Sequence, residues 1–531
     1  MSLVFETAAE PPEPDQHRAD VACFIGFVAR RKSRALPDAV RAQLTAAGWV
    51  TGSWRKSAIQ IDSLENVPVV IDSWDLFDQL FAWDARPLSG RSSKQCATYL
   101  GAAVRSFFAR GGKRAIVIRV GDPWPFLESS AHRAANRRAR LRSMVPDFPD
   151  KTIPLQVFEP WNPGAWQGMQ HLYGLRENSM VVLPDLPDAC AVEPQMPKLT
   201  PTPPAVPEGF VECSVEEPVS QDIGLRQTPA PRLDNSGFAA WKIAVSLARD
   251  FLKRHQREVI LIAALPLPHL DTKRVVNGGR IHAQADMLGY LQRAGVLRRD
   301  GSIGDSGMSS AFVQLAWPWL RTQASSDLPE GLESPDGVMT GLIAAGAGLR
   351  GCFSAVAGDF SVPRLRDVTD AEPVPAWGQG DDSPMAKLAQ HVCLITQSPD
   401  GWALQSDVTT AGDESWRFGG ASRLMGTIIR AARSTGDSVA FEANGPTLWA
   451  RLRRSMESML TEFWREGAFA ATKVSEAFSV LCDRSTMTQN DIDNGRLIVQ
   501  IMVRPAVSIE KIIVLLNLGN TSGASALREV A

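Results

Sequence analysis

The segment that most constrains this chain is a long amphipathic pattern near its C-terminal end, residues 446–465. Pro446 follows Asn444 and Gly445 and suits the first turn of a helix. Apolar residues then recur at steps of four and three, which places them on one face of a helix. They are Leu448, Leu452, Met456, Met459 and Phe463, flanked by Trp449, Leu460 and Trp464. The pattern predicts a helix that packs on a domain core and ends near Gly467.

A polar turn and two apolar runs follow this helix. The polar residues between 491 and 495 are typical of a turn. Residues 497–503 are nearly all apolar, as expected for a strand that is covered on both faces. Pro505 interrupts the backbone ladder, and residues 509–516 form a second apolar run before a polar tail.

The first part of the chain has a different organisation. Residues 21–183 alternate apolar runs with helical patterns, which indicates α/β layering. Residues 115–120 and 180–183 are candidate buried strands. Residues 184–231 carry eleven prolines, a density that favours an extended connector over a regular core.

Composition excludes several classes of function. The 531 residues include 56 Lys and Arg against 58 Asp and Glu, so the overall charge does not favour a polyanionic partner. The seven cysteines form no CxxC pair, so neither a zinc site nor a disulfide framework is predicted. The acidic N-terminus lacks the basic and apolar regions of a signal peptide, and no uncharged apolar run reaches the ~20 residues of a membrane helix. We therefore expect folding in reduced, cytoplasmic surroundings without membrane insertion.

Two short motifs invite an enzymatic interpretation. Residues 304–307 (GDSG) resemble the nucleophile motif of trypsin-like proteases, but the spacing of His282 and Asp286 does not establish a triad. Residues 346–351 (GAGLRG) match G-x-G-x-x-G, yet no clear strand precedes them and no clear helix follows. We interpret the first motif as a loop turn and the second as close packing. The sequence therefore predicts no catalytic and no cofactor-binding residue.

Charged residues raise two further alternatives. Asp491 and Asp493 hint at calcium, but the sixth and twelfth positions of an EF-hand loop would be Arg496 and Met502. A solvated turn fits better, and no metal site is predicted. An arginine cluster at residues 133–142 could bind nucleic acid, but no aromatic residue is interleaved with it. A solvated helix face, or one that meets an acidic neighbour, fits it better.

Two segments are specific enough to indicate a family. LWARLRR, residues 448–454, lies on the amphipathic helix, and TMTQNDIDNGRL, residues 486–497, covers the polar turn. Together they resemble the C-terminal domain of contractile tail sheath proteins, which form the sheaths of phage tails and related injection systems. Other segments resemble further parts of the sheath sequence: residues 21–31, 67–81, 99–120 and 328–354. Residues 184–231 and 390–426 depart from the family pattern, as one of several sheath paralogues in a particle would.

The resemblance implies an α/β chain of mixed α+β character. It would contain a subtilisin-like α/β sheath domain, a C-terminal α+β domain and extended arms at both ends. The predicted divisions are an N-terminal linker arm (1–20), the first part of the sheath domain (21–183), a Pro-rich connector (184–232), the second part of the sheath domain (233–375), the C-terminal conserved domain (376–507) and a C-terminal arm (508–531).

The resemblance also implies a mechanical function without an enzymatic activity. Sheath subunits stack as hexameric rings around an inner tube, and the sheath contracts to drive that tube through a target membrane. The implied partners are further copies of the chain, the inner tube protein, baseplate and cap proteins, and paralogous sheath subunits; nucleic acid is not among them. Synthesis and assembly would be cytoplasmic, and the finished particle could be released outside the cell.

Apolar strands at the two chain ends are predicted to link subunits. In the family, terminal arms add strands to a sheet of an adjacent subunit, so that backbone hydrogen bonds join the chains. The predicted arm residues are Leu3, Val4, Phe5 and Glu6 at one end, and Ile509, Ile512, Ile513, Val514 and Leu515 at the other. Arg451, Arg453 and Arg454 either are solvated, with Glu457 in reach of Arg453, or contact the tube or a neighbouring subunit.

Two alternatives to a sheath subunit remain at this stage. One is another structural component of the tail or its baseplate. The other is an α/β hydrolase-like enzyme, because a fold does not by itself define an activity.

Overall fold

The structure is a computed structural model of the chain. It describes residues 18–90, 93–149, 160–196, 224–269, 308–372, 388–439 and 442–506, and the backbone of 514–517 and 527–530. Contacts divide the chain into two compact units. The first, here called the sheet unit, comprises residues up to 352 and residues 356–438. The second, the C-terminal unit, comprises residues 353–355 and the chain from residue 439 onwards.

The described strands of the sheet unit are numbered in chain order. They are β1 Val21–Gly26, β2 Ala29–Arg30, β3 Val69–Ile71, β4 Phe81–Ala82, β5 Arg86–Pro87, β6 Gln95–Cys96, β7 Arg114–Arg119, β8 Met180–Val182, β9 Arg232–Leu233, β10 Ile260–Ala264, β11 Leu267–Pro268, β12 Val313–Trp317, β13 Trp319–Arg321, β14 Asp370–Glu372, β15 Cys393–Ser398 and β16 Gly401–Leu404. The helices are α1 Asp38–Ala46, α2 Ala58–Ser63, α3 Trp74–Leu80, α4 Tyr99–Ala109, α5 Ser130–Met144, α6 Leu186–Cys190, α7 Asn235–His255, α8 Pro335–Arg350, α9 Glu414–Arg417 and α10 Gly419–Ser438.

An eight-stranded sheet lies at the centre of this unit, in the order β16-β15-β12-β10-β8-β1-β7-β3. Its six inner strands run parallel, whereas β3 and β16 are antiparallel to their neighbours at the two edges. In register, Val21 of β1 lies opposite Arg114 of β7, and Ala22 lies opposite Met180 of β8. Parallel neighbours need crossover connections, and these place helices on the sheet faces.

Both faces of the sheet are buried. On β1, Ala22 and Phe24 pack into one apolar core, and Val21, Cys23 and Ile25 pack into the other. Helices α4 and α8 contribute to the first core, and α5 and α7 contribute to the second. This explains why the predicted strands read as continuous apolar runs. The α/β fold class predicted from the sequence is confirmed, while its subtilisin-like character stays a prediction.

Helices α4 and α8 approach each other closely through glycine. A Cβ added at Gly337 would lie 2.5 Å from the Cα of Ala103, and one at Gly341 would lie 2.8 Å from the carbonyl oxygen of Phe107. Neither contact leaves space for a methyl group, so the two glycines set the distance between the helices. Residues 335–346 of α8 are accordingly buried.

The C-terminal unit is built on the predicted amphipathic helix. Its elements are α11 Pro446–Arg465, α12 Val474–Ala477, β17 Phe478–Leu481, α13 Gln489–Asp493, β18 Gln500–Val503, β19 Val514–Asn517 and β20 Leu527–Val530. Helix α11 buries Leu448, Trp449, Leu452, Met456, Leu460 and Phe463. Leu452 lies in a small core with Cys482 and Met487. Five of these six buried residues sit at three- or four-residue steps, as the sequence pattern requires.

Two features differ from the sequence-based expectations. The strand expected at residues 497–503 is shorter, Gln500–Val503. The described residues do not cover both of its faces, because Met502 is 48% exposed. The contact boundary after Ser438 also lies at a different place from the predicted division at 375/376. Strands β15 and β16, which follow that division, complete the large sheet.

Candidate assembly surfaces

The sheet has a topological switch point, the position at which open α/β sheets of enzymes bind ligands. The chain first extends the sheet from β1 towards β7 and then continues on the other side through β8, so the order reverses between β1 and β8. Phe27, just after β1, donates its N–H to Oδ2 of Asp185 at 2.6 Å, and Leu100 in the first turn of α4 donates to Oδ1 at 3.3 Å. The carboxylate of Asp185 thus occupies the helix N-terminus that a bound anion would use.

The groups around Asp185 form a buried electrostatic network. Burial raises the pKa of Asp185 to about 7, against the opposing effect of the Phe27 N–H. Burial also acts to raise the pKa of Asp188, but the guanidinium groups of Arg86 and Arg133 outweigh it and hold that pKa below its usual range. Arg86 donates to Asp188 at 2.7 Å and Arg133 donates at 3.3 Å. Through Asp188 the network joins α5 and α6 to Arg86 of β5.

This network corrects one interpretation of the arginine cluster. Arg133 is 2% exposed and pairs inside the protein, so it is not part of a solvated helix face. Arg140 pairs with Glu128 at 2.7 Å. An acidic neighbour within the same chain therefore accounts for both side chains, as the second interpretation of the cluster anticipated.

The remaining motifs also have structural explanations where the structure describes them. Gly346 and Gly348 lie inside α8, so residues 346–351 do not form a strand–loop–helix phosphate site. A Cβ at Gly346 would lie 2.5 Å from Val356, which fits the interpretation of close packing. Residues 304–307, His282 and Asp286 lie outside the described residues.

The candidate calcium residues belong to a helix start. Asp491 and Thr488 form a capping box at the beginning of α13, with the hydroxyl of Thr488 donating to the carboxylate at 2.6 Å. That hydrogen bond lowers the pKa of Asp491. Within the described ranges, no group of three or more His, Cys, Asp or Glu side chains could hold a metal ion.

The arginines of α11 form an exposed basic surface. Arg451 pairs with Glu442, and Nε of Arg453 lies 3.7 Å from Oε1 of Glu457. Arg454 is exposed on the same helix. The first of the two sequence interpretations, solvation with a partner at i+4, describes the geometry of Arg453 in this chain.

A small sheet in the C-terminal unit presents apolar residues to solvent. Strands β17 and β18 pair antiparallel, with Ser479 opposite Met502 and Leu481 opposite Gln500. Leu481 is 36% exposed, Ile498 is 42% exposed and Met502 is 48% exposed. Among the described strands, β17 and β18 pair only with each other. Each of these strands therefore has an outer edge that is available for a further strand.

The tail contains a second two-stranded sheet. Strand β19 pairs antiparallel with β20, with Val514 opposite Val530 and Asn517 opposite Leu527. The sequence identified the apolar run at β19 but treated LREV, residues 527–530, as part of a polar tail. A four-residue strand with two charges gives no local signal, because its pairing partner is supplied by another segment.

The structure describes only two of the nine predicted arm residues. Val514 and Leu515 lie in β19. Leu3, Val4, Phe5, Glu6, Ile509, Ile512 and Ile513 lie outside the described residues. The root of the N-terminal arm was not identified from the sequence: Nη2 of Arg430, on α10, donates to the carbonyl oxygen of Arg18 at 3.0 Å. This hydrogen bond fixes the first of the described residues to α10.

Comparisons with known proteins find both a family and solved structures to which this chain is similar. The family described as phage tail sheath C-terminal domain matches residues 411–519. A chain in the cryo-EM structure of the anti-feeding prophage baseplate, 6-fold symmetrised, is similar with TM-score 0.55 and 17% identity, covering 98% of this chain and 99% of that one. The anti-feeding prophage helical sheath in its contracted state is similar with TM-score 0.53, 17% identity and coverage of 98% and 99%. No curated protein matches in sequence.

A third structure extends the same relationship. The sheath complex of PVC, an extracellular contractile injection system in its contracted state, is similar with TM-score 0.50 and 14% identity, covering 98% of this chain and 99% of that one. The chain therefore shares its overall fold with chains of contractile sheaths. The resemblance to contractile tail sheath proteins is confirmed, and the match over residues 411–519 contains both of the segments that indicated it, 448–454 and 486–497.

Proposed function

We propose that this chain is the structural sheath subunit of a contractile injection system. Its copies assemble as stacked hexameric rings around an inner tube, and contraction of the lattice drives the tube through a target membrane. The observation that carries the proposal is the family match over residues 411–519, joined to a fold shared with sheath protomers over 98% of the chain. The subunit acts through contacts with its neighbours and catalyses no reaction.

The free energy for contraction comes from the lattice in this proposal. An extended lattice that is metastable releases contact free energy as each subunit rotates into a contracted arrangement. The subunits move as folded bodies, which suits a sheet buried on both faces and helices packed through glycine. The lattice also needs connections that survive the movement.

The terminal arms provide those connections. The outer edges of β17 and β18 carry backbone groups that a strand from another subunit can pair with, and Leu481 and Met502 offer it an apolar surface. Leu3 to Glu6 at one end and the apolar run at 509–516 at the other have the composition of such strands. A two-stranded ribbon such as β19–β20 is marginal alone and gains most from an added strand.

The basic surface of α11 faces a partner in the assembled sheath. Arg451, Arg453 and Arg454 are exposed on α11, outside its buried face. An acidic surface on the inner tube or on a neighbouring subunit complements them. Baseplate and cap proteins, and paralogous sheath subunits, complete the set of proposed partners.

The proposed cellular path begins with folding and assembly in the cytoplasm, and the finished particle is released. Two observations are compatible with it. Where the structure describes the chain, it contains no helix of the length and apolarity needed to cross a membrane. One similar structure comes from an extracellular contractile injection system.

Electron microscopy of the particle tests the proposal. The chain is expressed from its own gene cluster with a small C-terminal affinity tag, and purified particles are labelled with gold and imaged by negative stain. We expect label along the whole length of the outer tube, and shorter, wider tubes after contraction. Label confined to one end would instead identify a baseplate component. This alternative matters because one of the similar chains comes from a baseplate structure. A monodisperse monomer, with and without the inner tube protein, contradicts both.

A further inference from the structure

A partly apolar groove of about 570 Å³ opens in the sheet unit beside the start of β12. Its floor includes Phe312, just before β12, and Met425 and Ile429 of α10. Trp416 of α9 forms one wall and is 39% exposed. An exposed indole beside half-buried aliphatic side chains is the composition of a surface that binds an apolar segment.

Helix α10 carries two apolar rows that differ in burial. Leu424 and Ile428 are buried at 0% and 2% exposure, on the side of the helix that faces the core. Met425 and Ile429 form a second row one residue further along and are only half-buried. The helix therefore has an apolar row that the described part of the sheet unit leaves partly open.

The described chain begins at Arg18, which is held by a residue of the same helix, α10, on a face next to the groove rather than in it. Arg430 holds the carbonyl of Arg18 at 3.0 Å and directly follows Ile429 on the helix, so the two residues lie on adjacent faces. Twelve residues separate Phe5 from Arg18, and an extended chain spans up to about 3.3–3.6 Å per residue, or roughly 40 Å here. The segment that contains Phe5 can therefore reach the groove of its own chain.

The charges of the segment and the groove are complementary. Residues 1–17 contain four carboxylates and neither Lys nor Arg. Two exposed cations line the groove, Lys253 and Arg257, and Nε of Arg257 is held by the carbonyl of Lys253 at 2.9 Å. The one acidic residue in the lining, Asp413, accepts the N–H of Ser415 at 2.8 Å as the cap of α9. An acidic segment with an apolar tip fits a basic rim above an apolar floor.

We propose that in the unassembled subunit this groove binds the chain's own N-terminal segment. Leu3, Val4 and Phe5 lie on the floor formed by Phe312, Met425 and Ile429, and the following carboxylates lie against Lys253 and Arg257. The contact is autoinhibitory, because the apolar strand is covered until a neighbouring subunit offers a sheet edge. This goes beyond the proposed sheath function, since it concerns the subunit before assembly and can fail while that function stands.

Photochemical cross-linking in the full-length chain tests the contact. Phe5 is replaced by p-benzoylphenylalanine, which inserts into C–H bonds near its carbonyl, and the dilute subunit is irradiated after gel filtration. We expect an intramolecular cross-link, migrating as monomer, whose peptides map to residues 309–312 or 411–429. Cross-links that map elsewhere in the chain overturn the proposal. Cross-links that only join two chains also overturn it and identify a neighbour's arm as the occupant.

A double charge-reversal variant tests whether the basic residues of the groove hold the N-terminal segment, or whether the cross-link only reflects random encounters. The double variant Lys253→Glu/Arg257→Glu should lower the yield of the intramolecular cross-link at least fivefold at low salt. The matched control, Arg254→Glu/Arg138→Glu, changes two exposed arginines that do not line the groove and should leave the yield within twofold of the parent. Equal yields in both variants contradict the proposal. Circular dichroism melting establishes that each variant is folded.

Discussion

Arg430 and Arg18 are joined by a hydrogen bond across most of the chain: Nη2 of Arg430 donates to the carbonyl oxygen of Arg18 at 3.0 Å. The same guanidinium donates through Nη1 to the carbonyl of Glu258 at 2.9 Å. One buried side chain thus holds the start of the described chain, the turn before β10 and helix α10 together. Burial lowers the pKa of Arg430 to about 10, so the side chain keeps its charge at neutral pH.

Loss of the hydrogen bond between Arg430 and Arg18 is predicted to loosen residues 18–21 locally. Arg430→Met should remove both donors and leave the carbonyl of Arg18 without this partner, at a cost of about 1–3 kcal/mol. Hydrogen–deuterium exchange of the amides at residues 18–21 should rise at least tenfold, while exchange in β7 should not change. Arg138→Met, at an exposed position, is the control and should alter neither. Unchanged exchange at residues 18–21 in the Met variant would show that the hydrogen bond does not hold the segment.

The buried face of α11 is predicted to be essential for the C-terminal unit. Leu452 is 3% exposed and lies in the core with Trp449 and Cys482. Leu452→Asp should destabilise the unit by several kcal/mol, because a carboxylate there has no partner or must bind a proton. Arg454→Asp, at an exposed position two residues away, should melt like the parent. Limited proteolysis measures the difference, and resistance of the Leu452→Asp variant would remove this face from the core.

Substitution by alanine is predicted to have opposite effects on stability at two glycines of α8, because only Gly337 of the two contacts α4. Gly337→Ala would place its methyl 2.5 Å from the Cα of Ala103, and overpacking of this kind costs about 1–3 kcal/mol. Gly348→Ala on the same helix meets open space and should stabilise by roughly 0.5–1 kcal/mol, since glycine is costly within a helix. Urea denaturation compares the two. Equal effects would mean that the two helices can move apart without loss.

The buried carboxyl group of Glu333 is predicted to make the free energy of unfolding depend on pH. Glu333 is 1% exposed; burial raises its pKa to about 7 against the hydrogen bonds from Thr322 and Ser106, with Arg110 and Asp367 also acting on it. Since the folded chain keeps this proton to higher pH than the unfolded chain, the group's contribution to stability is present at acidic pH. It is lost as pH rises towards 7, by at most about 1.4 kcal/mol per pH unit.

Glu333→Gln isolates this contribution. The amide cannot ionise, and the hydroxyls of Ser106 and Thr322 can rotate to match it. Between pH 5 and pH 7 the unfolding free energy of the Gln variant, relative to the parent, should therefore rise by roughly 2 kcal/mol. Glu476→Gln, at an exposed position, should show no such change. A flat difference for Glu333→Gln would place its folded pKa near that of an exposed glutamate.

Deletion of residues 2–15 tests the linking role of the N-terminal arm. The deleted segment contains three prolines and only a short apolar stretch, so it cannot form a core of its own. We expect a folded subunit with thermal unfolding near that of the parent, but no long sheaths, or rings that separate on contraction. Replacing the same residues by a Gly/Ser linker of equal length is the matched control for length. Contraction-competent sheaths from either variant would refute the linking role of Leu3 to Glu6.

Much of the local structure follows from periodicity in the sequence. The three- and four-residue steps after Pro446 predicted a helix, and the structure has one at Pro446–Arg465. The apolar runs at 115–120 and 180–183 predicted buried strands, which are β7 and β8. These signals are reliable because a helix or strand that faces a core must place apolar side chains at its own repeat.

Other features depend on partners that lie far along the chain. The sequence divided the chain before β15 and β16, whereas the structure places both strands in the large sheet, next to β12. The sequence pattern placed Arg133 in a cluster interpreted as solvated, whereas in the structure it is paired with Asp188, 55 residues further along the chain. The strand at residues 527–530 became evident only through its pairing with β19. No local pattern encodes such contacts.

The sequence alone was enough for the amphipathic helix at 446–465, the inner strands at 115–120 and 180–183, the α/β class and, through residues 448–454 and 486–497, the resemblance to sheath proteins. The tertiary structure was needed to show which strands share a sheet and which apolar surfaces the described residues leave open. It also showed that Asp185 closes the crevice at the switch point with two backbone hydrogen bonds. The physical reason is that secondary structure follows from the repeat of side chains within a segment, whereas burial and strand pairing are fixed by segments that meet only after the chain has folded.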